Sequence, residues 1–109
     1  MQTISREQLR QMLDDNRKLV LIETLPEESF RKEHLPGAVN VPVDDPKFEK
    51  KVHDAIPEKD SDVVVYCADK ACPASPKAAH KLEQLGFTSV FDYENGKADW
   101  KDAGLELTH

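Results

Sequence analysis

Residues Val63-Val64-Val65-Tyr66 form an unbroken run of β-branched and aromatic side chains that stops at Cys67. A run with no polar alternation has the composition of a strand covered on both faces. Such a strand demands a sheet with a layer packed on either side, and so it restricts what the flanking residues can be. Beyond Cys67 come Ala68-Asp69-Lys70-Ala71-Cys72-Pro73-Ala74, then Ser75-Pro76, then Ala78, Leu82 and Leu85 at helical spacing. Ser75 reads as the N-cap of that helix, Pro76 as its first residue, and Gly86 as the C′ residue that ends it. A buried strand that ends in a cysteine, with a loop leading into a helix N-terminus, is a setting in which a thiol becomes reactive.

The remaining chain supplies partners for that strand. Ser5 and Gln8 fit a capping box ahead of the apolar stripe Leu9, Met12 and Leu13. Lys18 to Glu23 reads as an apolar strand, and Pro26-Glu27-Glu28 opens a second helix with Phe30 turned inward. Pro36-Gly37 is a turn, Ala38 to Val41 a short strand, and Asp44-Asp45-Pro46 the start of a short helix carrying Phe48 and Val52. Phe87 to Tyr93 contains a further strand, and Asn95-Gly96 turns into a last helix around Trp100 that ends at Gly104. Strands alternating with helices predict an α/β fold, with a parallel sheet flanked by helices on both faces. Sites in such sheets form outside the carboxyl ends of the strands, where Cys67 lies.

At 109 residues the chain reads as one domain, residues 1–109. Its formal net charge of −6 argues against nucleic acid and anionic membrane as partners. The N-terminus lacks an apolar signal-peptide core, and no run approaches the ~20 apolar residues of a membrane span. A cytoplasmic location is the expectation, and there two cysteines read as thiols rather than a structural staple.

A thiol reacts as its thiolate, and a free cysteine has a pKa of about 8.5. Two features near Cys67 act to lower it: the N-terminus of the helix from Ser75, with its unpaired N–H groups, and the charges of Lys70 and Lys77. Asp69 opposes them. Cys72 reads either as a resolving thiol for Cys67 or as a small loop residue packed beneath the helix. A zinc site from two cysteines and a histidine has neither of the usual short spacings, so no metal and no cofactor is implied. His34 reads as a turn-supporting residue and Trp100 as core. His53, His80 and His109 read as surface residues, and the acidic pairs as caps and solvated faces.

Several segments together resemble the rhodanese domain. Glu23, Pro26 to Phe30 and His34-Leu35-Pro36-Gly37-Ala38-Val39-Asn40-Val41-Pro42 are similar to its first signature. Val64-Val65-Tyr66-Cys67 is similar to the strand before its active cysteine, and Ala78-Ala79, Leu82, Leu85-Gly86-Phe87, Val90, Tyr93, Gly96, Trp100 and Gly104 to its closing pattern. The resemblance implies a rhodanese-like sheet of about five parallel strands. It also implies a sulfurtransferase in which Cys67 takes sulfane sulfur from a donor such as thiosulfate, becomes a persulfide, and passes the sulfur to a thiol or cyanide acceptor. The backbone N–H groups of Ala68, Asp69, Lys70, Ala71 and Cys72 are then expected to hold the persulfide or the donor's oxyanion, helped by the Lys70 charge. Residues 68–75 carry neither the glycine nor the arginine frequent in that loop. The phosphatase version of the fold resembles a cysteine separated by five residues from an arginine. Pro73 stands at that place, and without the bidentate clamp phosphate chemistry is disfavoured. The other class of function is a non-catalytic module that docks on a partner protein, or senses redox state, with Cys67 and Cys72 switching between dithiol and disulfide.

Overall fold

The computed structural model describes residues 1–16 and 18–109. Five parallel strands form one sheet in the order β1-β5-β4-β2-β3. They are β1 (Gln2–Thr3), β2 (Val20–Glu23), β3 (Val39–Asn40), β4 (Val63–Tyr66) and β5 (Val90–Tyr93). The helices are α1 (Arg6–Asp15), α2 (Glu27–Lys32), α3 (Phe48–Ala55), α4 (Ala74–Gln84) and α5 (Gly96–Asp102). β4 takes the centre, as its unbroken apolar composition requires, and all four of its side chains are buried.

Successive side chains of a strand point to opposite faces. Val63 and Val65 therefore join Ile22 and Val90 in a core against Phe48 and Val52 of α3 and Ala78, Ala79 and Leu82 of α4. Val64 and Tyr66 join Leu21 and Tyr93 in a second core against Leu9 of α1 and Trp100 of α5. The Ser5–Gln8 capping box forms with both of its hydrogen bonds. Gly86 ends α4 at φ +96°, where Phe87 N donates to Leu82 O and Gly86 N to Glu83 O.

Some boundaries, and the placement of one side chain, differ from those read in the sequence. β2 begins at Val20, because Lys18 and Leu19 lie in the turn before the sheet. α3 begins at Phe48 rather than at the Asp44-Asp45-Pro46 segment, whose carboxylates bond outward instead: Asp44 to Lys77, and Asp45 to Lys51 and the Lys47 amide. Phe30 is half-buried and stacks on the His34 ring, with centroids 3.8 Å apart, rather than entering either core. α4 starts at Ala74 with Pro73 as its cap residue, so Ser75 lies inside the first turn. The edge strand β1 has no counterpart among the strands read from the residues.

Candidate active site

Cys67 follows the last residue of the central strand, at the carboxyl edge of the sheet. Its carbonyl accepts from Lys97 N at 2.9 Å, and the Ala68 carbonyl from Ala98 N at 2.8 Å. Both donors belong to the first turn of α5, which packs directly beneath the loop. A Cβ on Gly96 would lie 2.4 Å from the Cys67 carbonyl oxygen, so only glycine fits, and its φ of +67° agrees. In a trans peptide the N–H points opposite the C=O. Tying the carbonyls of Cys67 and Ala68 to α5 therefore turns the Ala68 and Asp69 amides away from α5.

The five loop amides do not act alike. Asp69 takes two of them: its carboxylate accepts from Ala71 N at 3.0 Å and its carbonyl from Cys72 N at 3.2 Å. Among the described residues the amides of Ala68, Asp69 and Lys70 donate to no protein acceptor. Of the five amides expected to hold a persulfide or oxyanion, those of Ala71 and Cys72 are thus already bonded within the loop.

The Cys67 sulfur is enclosed, at 1% exposure, but its walls are polar. Its thiol donates toward the Cys72 carbonyl at 3.5 Å and the Ser75 hydroxyl at 3.6 Å. Burial pushes the Cys67 pKa up to about 11, and the facing Cys72 side chain adds to the rise. The Ser75 hydroxyl and amide, in the first turn of α4, pull it down. The lowered pKa expected from the sequence is therefore reversed, because desolvation outweighs the helix N-terminus. Neither lysine offsets it: Lys70 is exposed, and Lys77 bonds to Asp44 at 2.9 Å. Both cysteines are free thiols.

A second polar network lies under the other face of the sheet. Lys97, 8% exposed, reaches the Glu23 carboxylate at 3.2 Å and the carbonyls of Ser29 and Glu33, at the end of α2, at 3.2 and 2.8 Å. The Tyr66 hydroxyl donates to Glu23 at 2.9 Å and accepts from Leu35 N at 3.1 Å. Burial raises the Glu23 carboxyl while Lys97 and Tyr66 pull it back. His34 supports its turn as expected: its Nδ1 meets Phe30 O at 2.8 Å, and its backbone bridges Thr108. Trp100 is core, donating Nε1–H to Glu106 O at 2.8 Å. Among the described residues no group of three or more His, Cys, Asp or Glu side chains converges as a metal site.

The family description "Rhodanese-like domain" matches residues 5–103. The chain belongs to the rhodanese-like domain family. It is 35% identical over 63 residues to the thiosulfate sulfurtransferase PspE of Escherichia coli, covering 58% of this chain and 57% of that one. It is 29% identical over 92 residues to the HTH-type transcriptional regulator Rv0324 of Mycobacterium tuberculosis, covering 83% of this chain and 38% of that one. This rhodanese-like chain thus spans well under two thirds of the length of these relatives. Among solved structures, the BH2092 protein of Bacillus halodurans superposes with a TM-score of 0.85 at 21% identity, over 98% of this chain and 76% of that one. That likeness shows the fold. No helix among the described residues is long and apolar enough to cross a membrane.

Three features of this rhodanese-like site were not read from the sequence. Ser75 serves the sulfur rather than capping a helix. Lys97 and Glu23 meet across 74 residues, a distance that no local pattern spans. Asp92, interrupting an otherwise apolar strand, was the one visible anomaly, and it lies buried below α4.

Proposed function

We propose that this rhodanese-like domain is a sulfurtransferase that carries sulfane sulfur on Cys67. The observation that supports this most is a strand-end thiol that meets the Ser75 hydroxyl and amide in the first turn of α4, at the base of a loop with three unclaimed amides. The thiolate attacks the outer sulfur of a donor such as thiosulfate, the S–S bond breaks, and sulfite leaves with the bonding pair. The Cys67 persulfide then gives its outer sulfur to a thiolate or to cyanide, and the Cys67 thiolate returns. Entry of the donor requires the Cys72 carbonyl to lift off the sulfur. Lys70, exposed at the loop, meets the incoming anion. The relative PspE, named for the same chemistry, adds support. A cytoplasmic setting and a protein acceptor belong to this reading, and two free thiols suit a reducing compartment. Thiosulfate:thiol transfer is expected in the wild type and to be absent from Cys67→Ser; full transfer by that variant would end the assignment.

A second reading rests on the Cys72 side chain facing the Cys67 thiol. The pair forms a disulfide when a peroxide takes two electrons and two protons from it and is reduced to water or an alcohol. The domain is then a redox-sensing module. Intact mass separates the two: thiosulfate adds a sulfur atom under the first, and mild peroxide removes two hydrogens under the second.

A further inference from the structure

Thr24 carries a buried hydroxyl that the transfer steps above do not use. It directly follows β2 and is 1% exposed. Its amide donates to Tyr66 O at 3.0 Å. In this ladder a β2 amide bonds to the carbonyl one residue before its partner: Val20, paired with Val63, donates to Asp62 O. The bond to Tyr66 O therefore sets Thr24 directly opposite Cys67. Ile22 and Val65 lie in the core under α3 and α4, so Thr24 and Cys67, two residues further along, face that same side. Neighbouring strands lie about 4.8 Å apart, which makes Thr24 the side chain next to Cys67 across the sheet.

The Thr24 hydroxyl donates to Tyr66 O at 3.1 Å. That carbonyl already accepts the Thr24 amide, so the second bond is spare. The O–H can turn to another acceptor without leaving the carbonyl unpaired. The charged sulfur is such an acceptor. At 1% exposure a Cys67 thiolate or persulfide anion meets little water, and every missing donor raises its free energy. Ser75 supplies one hydroxyl, 3.6 Å from the sulfur. The Cys72 carbonyl, at 3.5 Å, accepts from the thiol and offers an anion nothing. We propose that Thr24 is the second donor: once Cys67 has lost its proton, the Thr24 hydroxyl turns from Tyr66 O to the sulfur and holds the negative charge there. No covalent bond forms or breaks at Thr24. Its use in catalysis rests on the sulfur-transfer reading.

The test is the rate of Cys67 alkylation by iodoacetamide in the full chain at about pH 8. Tryptic cleavage after Lys70 puts Cys67 and Cys72 on separate peptides, so mass spectrometry follows each alone. Thr24→Val removes the hydroxyl and keeps the side-chain shape. Its Cys67 should react about 10-fold slower than wild type, because a hydrogen bond to a charged group is lost. Thr24→Ser keeps the hydroxyl and should stay close to wild type. The Cys72 rate should be the same in all three, since a loosened loop would change it and a lost donor would not. Thr24→Ser and Thr24→Ala share the missing methyl and differ only in the hydroxyl. The alanine variant should be about 10-fold slower than the serine one, and this pair carries the test if Thr24→Val fails to fold. Equal Cys67 rates with and without the hydroxyl, or a matching change at Cys72, overturn the assignment. No sulfur donor is needed, so the failures separate. A hydroxyl-dependent rate without sulfur uptake from thiosulfate keeps Thr24 as the donor to the thiolate and removes the transferase. Sulfur uptake with a hydroxyl-independent rate does the reverse.

Discussion

Cys67 rests as a neutral thiol, and this gives the fold a pH dependence of its own. Its pKa of about 11 lies above that of an unfolded cysteine, about 8.5, so folding favours the protonated form. The stability that follows is fully present below about pH 8.5 and is lost as pH rises through about 11. Urea unfolding between pH 8 and pH 11 should show the wild type losing on the order of 2 kcal/mol more than Cys67→Ala. Equal losses would mean that the sulfur sits in a wetter site. Cys67 was legible as the candidate nucleophile because a strand visibly ends on it. Its protonation was not legible, because desolvation depends on how tightly the Cys72 carbonyl and Ser75 close over the sulfur. Ser75 misled for a related reason: a serine before Pro76 is a good cap by composition, but here its hydroxyl is turned toward Cys67.

At the scale of elements, α5 is the support on which the reactive loop is built. Gly96→Ala would force a Cβ into the Cys67–Ala68 peptide and place alanine at φ +67°. The backbone strain alone costs ~1–3 kcal/mol. A lower Tm and a loss of sulfur transfer beyond what the remaining folded fraction explains are expected from paired melting and activity measurements. Unchanged activity would show that the loop does not need the Lys97 and Ala98 amides. At the far end of the chain, Ser5→Ala removes the α1 cap and should cost ~1 kcal/mol in urea unfolding, with transfer unaltered. The helices and central strands were readable because periodicity and capping are local signals. β1 was not: Gln2 and Thr3 are two exposed polar residues, made a strand only by pairing with Phe91 and Asp92.

Over the whole molecule, the Glu23–Lys97 pair joins the end of β2 and the start of α5 to the carbonyls that close α2. No composition argument finds it, since a lysine after Asn95-Gly96 reads as solvated until the fold buries it. Removing one partner leaves the other charge stranded, and Lys97→Met should destabilise by ~3–5 kcal/mol. Glu23→Gln keeps an acceptor for the Tyr66 hydroxyl while removing the carboxylate charge. In the double variant neither charge is buried, so its loss should fall short of the sum of the two single losses by more than about 1 kcal/mol. The backbone amide of residue 97 survives the Lys97→Met change and still holds the Cys67 carbonyl. Transfer activity per folded molecule should therefore fall far less in Lys97→Met than in Gly96→Ala. Additive stability losses would show that the pair is not coupled. A collapse of activity in Lys97→Met equal to that of Gly96→Ala would show that the side chain, not only the peptide, sets the geometry at the sulfur.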